Sequence, residues 1–307
     1  MRHLLAVSDL TRESALHLFQ VAADLKQRLK AGHRVAPLAG RTLALIFEKP
    51  SLRTRVTFEV GVIQLGGRAV YLQGGEIGLG TRESVPDVAR NLSRWVDGIV
   101  ARVFAHSTVQ TLAHEASIPV VNALSDFEHP CQALADFFTL WERGVDFTKM
   151  KLAWIGDGNN VCHSVVLLGA MLGARIAVAC PPGYEPDAAV QARVRRDAPQ
   201  FDLTEDAKAA ATGADVIYTD TWISMGQETE REERLEAFSR YQVNDTILGF
   251  AKPSALVMHC LPAHRGEEIT DAVLDGPRSI VLDQAENRLH AQKAVILELL
   301  GGSVDDA

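Results

Sequence analysis

The chain has 307 residues, 47% apolar and 23% charged, with a net charge of −8. That is an ordinary globular composition, long enough for two domains of about 150 residues each. No basic block offsets the acidic balance, and no apolar run approaches the ~18 residues of a membrane span, so nucleic-acid and membrane partners are not expected.

The apolar stretch at 4–7 is too short for a secretory signal. Thr11 opens an amphipathic helix with apolar residues at Leu18, Val21, Leu25 and Leu29, closed by Gly32. Residues 42–47 form a short apolar run that reads as a buried strand, followed by a turn at Glu48-Lys49-Pro50. Ser51 stands at an N-cap position, and Val56, Val60 and Ile63 make a helical stripe ending at Gly66-Gly67. Strand-like runs at 69–72, 98–102 and 120–122 alternate with helices. A helix from Pro130 carries Leu134, Phe137, Phe138 and Trp141 and ends at Gly144. Residues 143–149 are the expected domain boundary. Beyond it, strands are expected near 152–155, 175–179, 215–219 and 256–259, and a last helix over 286–300 ends at Gly301-Gly302. Cys131, Cys162, Cys180 and Cys260 form no C-x-x-C pair, which points to reduced thiols, a cytoplasmic setting and no structural zinc.

Repeated strand–helix alternation predicts an α/β fold of two doubly wound parallel-sheet domains, the first ending at residue 143 and the second beginning at 144. Ligands of such sheets bind at the carboxyl ends of the strands. Six polar clusters fall there, which places the expected active site in a cleft between the domains. In the first cluster, Ser51-Leu52-Arg53-Thr54-Arg55 opens a helix directly after a strand. Free backbone N–H groups, the helix dipole, two hydroxyls and two guanidiniums suit a phosphate. Arg102 ends an apolar strand, where its charge calls for an anion or an ion pair. His129 precedes Pro130 at the first helical position, so it is read as an N-cap with Gln132 at N3. A helix N-terminus disfavours imidazolium, so His129 can act as a neutral N–H donor.

Gly156-Asp157-Gly158-Asn159-Asn160-Val161 resembles a dinucleotide fingerprint, but Val161 replaces the third glycine. The next strand ends in Cys180-Pro181-Pro182 in place of an acidic ribose ligand, so NAD is not expected. Asp220 ends a strand and could receive an ammonium group, with Ser224 and Met225 in the loop beyond it. His259-Cys260-Leu261-Pro262 leaves the last strand with a thiol, either inert core or part of the cleft.

Together these segments resemble the ornithine carbamoyltransferases over nearly the whole chain. The resemblance is carried by Phe47-Glu48-Lys49 with 51–55, by His129-Pro130 with Gln132, by 156–160 and by 220–227. It continues through 259–268 and Glu286-Asn287-Arg288. It implies that Ser51, Leu52 through its N–H, Arg53 and Thr54 hold the phosphate of carbamoyl phosphate. Arg102, His129 and Gln132 would hold the carbamoyl group, with Arg288 and the backbone around Cys260 and Leu261 completing the pocket. Asn160, Asp220, Ser224 and Met225 would bind L-ornithine, and Cys260 paired with Asp220 would orient the amine and take its proton. The resemblance also implies a homotrimer or a multiple of trimers, and a C-terminal helix, 286–307, that returns to the first domain. No metal or organic cofactor is expected, because phosphate is already a good leaving group.

Two positions depart from the family pattern. Leu52 replaces a usual threonine, and Gly78 stands where many members place a glutamine that reaches the neighbouring subunit's site. Arg82 is the candidate substitute. Rival readings are a transcarbamylase for aspartate or another amine, a nucleotide-dependent oxidoreductase, and a binding protein without turnover.

Overall fold

Parallel strands need long crossovers, and the chain supplies a helical or extended excursion after every strand. The computed structural model describes residues 1–33, 35–224 and 226–302. Two compact units emerge, one of residues 1–138 with the chain from Glu286 onward, the other of residues 139–285.

The first unit holds β1 (Thr42–Phe47), β2 (Arg68–Gln73), β3 (Gly98–Arg102) and β4 (Val120–Leu124) in the parallel order β2-β1-β3-β4. The second holds β5 (Lys151–Ile155), β6 (Arg175–Ala179), β7 (Phe201–Thr204), β8 (Val216–Thr219) and β9 (Leu256–His259). Its order is β7-β6-β5-β8-β9, again all parallel. Each sheet reverses its winding once, between β1 and β3 in the first unit and between β5 and β8 in the second. At such a switch the two crossovers leave in opposite directions and open a crevice at the strand ends. β3 is buried throughout and β1 and β5 nearly so, as strands covered on both faces must be, whereas edge strand β2 is partly exposed along its length.

The expected strands are all present, with ends shifted by up to two residues. β7 was not anticipated: its four residues, Phe-Asp-Leu-Thr, lie at a sheet edge with no residue fully buried. A segment that short carries too little apolar pattern to register. The Arg12–Lys30 helix, capped by Thr11, buries Ala15, Leu18, Phe19, Ala22, Leu25 and Lys26, leaving Val21 and Leu29 only half-buried. The Leu52–Gln64 helix is present as the stripe predicts, but the stripe is not the face it buries. Its buried face is Thr54, Phe58, Gly61 and Val62, while Val56 and Ile63 are 46% and 59% exposed. Periodicity found a real stripe, but this helix carries two apolar faces and only one meets the core. The last helix begins at Val281, earlier than 286, and ends at Leu300; residues 303–307 lie outside the described part of the chain.

The turn after β5 is fixed by one close approach. Gly158 donates its N–H to the Tyr184 carbonyl at 2.9 Å, and a Cβ there would lie 2.3 Å from the Pro186 nitrogen. Backbone cannot yield as a side chain can. Gly158→Ala is therefore expected to lower stability by about 2 kcal/mol or more. Gly75→Ala, with nothing within 4 Å of the new methyl, should change it by less than about 1 kcal/mol. Urea unfolding of both variants measures the contrast, and equal shifts would contradict it.

Candidate active site

In the first unit the crevice between β1 and β3 is lined by the helix that follows β1 and by the last residue of β3. Ser51 caps that helix, its Oγ accepting from the Thr54 N–H at 3.3 Å. Leu52 and Arg53 occupy the first two helical positions, whose N–H groups have no acceptor within the helix. The Leu52 side chain is 74% exposed, so its backbone is the polar group it offers. Arg53 is half-buried. Arg55 does not join this set: its guanidinium stacks 3.6 Å from the Tyr71 ring centroid.

Thr54 is the hub. Its buried hydroxyl accepts from Arg288 Nη2 at 2.8 Å and from Arg102 Nη1 at 3.5 Å. Arg288 Nη1 donates to Gln132 Oε1 at 2.7 Å, and Gln132 Nε2 donates to Asp136 Oδ1 at 2.8 Å. A hydroxyl offers two lone pairs and one proton, so Thr54, with both lone pairs engaged, has its proton left to give. Arg102, Gln132 and Arg288 are each at most 5% exposed. His129, at the start of the Pro130–Glu142 helix, is buried beside them. Burial holds its imidazole far below the ordinary range, and the charges of Arg288 and Arg102 push the same way. His129 is neutral at physiological pH. Its turn is tied down by Asn122, which donates to the Glu128 carbonyl at 3.3 Å, and by Glu128, whose carboxylate accepts the Val7 N–H at 2.8 Å.

In the second unit the crevice between β5 and β8 is centred on Asp220, 5% exposed. One carboxylate oxygen accepts from Asn159 Nδ2 and the other from the Cys260 thiol, each at 2.9 Å. Asn159 also caps the Asn160–Leu172 helix, accepting from the Val161 and Cys162 N–H groups, so Asn160 stands at its first position. Ser224 and Gln227 close the loop beyond β8, the Ser224 N–H donating to Gln227 Oε1 at 3.0 Å. Met225 lies outside the described residues. The loop is fastened from behind by Arg234, which donates to the Trp222 carbonyl at 2.9 Å and to Asp157 at 3.0 Å.

After β9, Leu261 adopts φ 58 ahead of a cis bond to Pro262, an unusual backbone for a branched side chain. Its N–H donates to His259 Nδ1 at 2.9 Å, which leaves the His259 proton on Nε2, 3.0 Å from buried Glu268. Asp220, His259 and Cys260 present ligand-type atoms within 4.8 Å of one another, as do His264, Glu267 and Glu268. With both His259 nitrogens engaged, the first set offers a cation only a thiol and a carboxylate.

The structure also explains the departure at Gly78. Its φ of +64 lies in the left-handed region, its carbonyl accepts from the Thr81, Arg82 and Glu83 N–H groups, and a Cβ would lie 2.6 Å from Arg82 Cβ. A glutamine does not fit this turn. Arg82 projects outward, 70% exposed, 3.6 Å from Glu83.

No reading of the sequence reached Asp136, the Asn159–Asp220 bond or the Arg234–Asp157 pair. Asp136 was findable, four residues beyond Gln132 on one helix. Asn159 reads from the sequence, with Asn160, as suited to a polar, zwitterionic ligand; its bond to Asp220 has no local signal, the two being 61 residues apart. Arg234 gave no signal, being 77 residues from its partner.

A family model described as the carbamoyl-P binding domain of aspartate/ornithine carbamoyltransferase matches residues 2–142, and one described as the Asp/Orn binding domain matches 148–299. The chain belongs to the aspartate/ornithine carbamoyltransferase family. Within it, an ornithine carbamoyltransferase of Methanosarcina mazei is 52% identical, with 97% of this chain and 99% of that one covered. One of Pyrococcus furiosus, named anabolic, is 50% identical over 98% and 97% of the two chains. The solved ornithine carbamoyltransferase structure from Pyrococcus furiosus superposes with a TM-score of 0.95, covering 98% of each chain at 50% identity.

Asp157 yields a pH prediction. Burial pushes its carboxyl up to about 6, despite the opposing charge of Arg234, whereas the unperturbed group titrates at 3.8. Between those values the folded protein binds the proton more tightly than the unfolded chain. The contribution of Asp157 to stability therefore falls as pH rises through that window and is constant above it. Relative to Asp157→Asn, the wild type should lose stability between about pH 4.5 and pH 7 in urea unfolding. A difference that is constant with pH would show that the carboxyl is not raised.

Proposed function

We propose that this protein is an ornithine carbamoyltransferase, transferring the carbamoyl group of carbamoyl phosphate to the δ-amine of L-ornithine to give L-citrulline and phosphate. The observation that carries the reading is the buried pair of guanidiniums, Arg102 and Arg288, both donating to Thr54 beside neutral His129 and Gln132. The phosphate sits on the helix N-terminus at Ser51, Leu52, Arg53 and Thr54. Arg102, His129, Gln132, Arg288 and the Thr54 proton address the carbamoyl end, and the same reading gives Cys260 and Leu261 a share of it. The amine nitrogen attacks the carbonyl carbon, negative charge develops on the carbonyl oxygen, and the bond to the phosphate oxygen then breaks. Donors already aimed at that oxygen stabilise the charge without reorganising. Asn160, Asp220, Ser224 and Met225 bind ornithine, and its amine proton passes to the Cys260–Asp220 pair.

Residues 1–143, with the C-terminal segment 286–307, are accordingly the carbamoyl-phosphate domain and 144–285 the ornithine domain. A homotrimer is supported by the apolar face of the Leu52–Gln64 helix, where Leu52, Val56 and Ile63 are exposed, and by exposed Val70 on edge strand β2. Four cysteines, none of them in a disulfide, support a reducing, cytoplasmic setting. Among the described residues no helix is long and apolar enough to cross a membrane. The anabolic relative supports a place in arginine synthesis.

The direct test is citrulline formation with ornithine, putrescine and aspartate offered in turn as acceptors of carbamoyl phosphate. Ornithine should exceed the others by at least about a hundredfold in kcat/KM, since a site built for the α-carboxylate leaves its polar groups unpaired with putrescine. Comparable values for putrescine, or aspartate as the preferred acceptor, would overturn the assignment.

Arg53→Ala should weaken carbamoyl phosphate and inorganic phosphate alike, because both put their phosphate on the same helix N-terminus. Losing one charged hydrogen bond costs about 1.5–3 kcal/mol, roughly ten- to a hundredfold in affinity. Competitive inhibition by phosphate reads this directly, and an unchanged inhibition constant would move the phosphate elsewhere.

A further inference from the structure

Lys26 is a cation with 8% exposure on the Arg12–Lys30 helix, on the face that otherwise buries apolar side chains. Its Nζ donates to Asn287 Oδ1 at 2.7 Å, lies 3.6 Å from a Glu286 carboxylate oxygen, and stands 5.9 Å from the Phe138 ring centroid. An ammonium is costly to remove from water, and its partners here come from two elements that carry site residues. Asn287, fully buried, is the immediate neighbour of Arg288. Phe138 lies on the Pro130–Glu142 helix, which presents Gln132, and it packs against Phe19 of the Lys26 helix at a centroid distance of 6.2 Å.

Apolar packing fixes a helix loosely along and around its axis, whereas a short charge-assisted hydrogen bond is directional. Successive residues of a helix point about 100° apart, so a bond that pins Asn287 also sets where the Arg288 guanidinium can reach. Arg288 must meet two acceptors at once, Thr54 Oγ1 at 2.8 Å and Gln132 Oε1 at 2.7 Å. We propose that Lys26 is a positioning residue for the carbamoyl end of the site, holding the Val281–Leu300 helix in the register that brings Arg288 onto Thr54 and Gln132. The proposal rests on the carbamoyl-transfer reading. Lys26 touches no substrate and acts through Asn287. The phosphate end is built on the N-terminus of a different helix, through Ser51, Leu52 and Arg53, and meets this arrangement only at Thr54.

That separation of the two ends, joined at one residue, gives the test. Lys26→Met is assayed for citrulline formation and for inhibition by inorganic phosphate. The kcat/KM for carbamoyl phosphate should fall roughly ten- to a hundredfold, the size of effect that a misplacement of about 1 Å produces. The inhibition constant for phosphate should stay within about twofold, and Lys26→Arg should recover part of the loss by restoring a cationic donor. Unchanged carbamoyl phosphate kinetics would overturn the proposal. So would a parallel loss of phosphate binding, which would mean general loosening of the unit. If Lys26→Met does not fold by thermal melting, Asn287→Asp and Asn287→Leu carry the test. The aspartate keeps the acceptor and should retain activity, the leucine should not, and equal kinetics in the two would overturn the proposal. A wild type that makes no citrulline in the same assay removes the functional reading itself, an outcome distinct from either.

Discussion

Two guanidiniums that donate to one hydroxyl are the constraint around which the first unit is arranged. Charges of like sign that donate to one oxygen repel each other, so Arg102 and Arg288 stay together only because the surrounding structure holds them there. β3 delivers one, the last helix delivers the other, and Thr54 on the helix after β1 accepts from both. Their joint field favours an anion and disfavours a third cation. That is why His129, buried between burial cost and two positive neighbours, stays neutral and keeps an N–H to offer. Gln132 and Asp136 extend the arrangement as a relay of hydrogen bonds along one helix face. Charge built at this one point outweighs the net charge of −8, because field strength in a buried crevice is set by the nearest groups.

The second unit applies the opposite sign to the same architecture. Asp220 leaves β8 at a switch point, and Asn159 from the β5 turn and Cys260 from the end of β9 each take one of its oxygens. A carboxylate so held has both oxygens fixed in direction. The loop that follows is anchored through the Trp222 carbonyl to Arg234, and Arg234 in turn to Asp157. Turn, loop and carboxylate are thereby one connected unit. Gly158 permits it by letting the β5 turn touch the Tyr184 backbone.

Much of this was legible in the chain. The strands at 42–47, 98–102, 175–179 and 256–259 follow from short apolar runs between polar turns, and the structure gives the same bounds. Capping by Thr11 and Ser51 was visible because hydroxyl residues immediately before a helical pattern have a physical role there. What misled was faces rather than elements. Val56 and Ile63 have helical spacing yet point away from the core, since periodicity reports that a stripe exists and not what covers it. Arg55 sat in the phosphate motif by position but stacks on Tyr71, because consecutive helical residues point in different directions.

The sequence by itself determined the kind of elements, their order, and the fact that polar clusters follow strand after strand, since local pattern and turn chemistry act over a few residues. It also determined the family, through motifs whose spacing the chain preserves. Only the tertiary structure decided which strand ends are neighbours. The orders β2-β1-β3-β4 and β7-β6-β5-β8-β9 bring Thr54 to Arg102 and Asn159 to Asp220, pairs separated by 48 and 61 residues. Strand order is fixed by long-range pairing and by which helix covers which face, and neither leaves a mark in any short stretch of chain. The partners that hold the site from behind, Arg288 on Gln132 and Arg234 on Asp157, are of this kind: their geometry exists only once distant segments have packed.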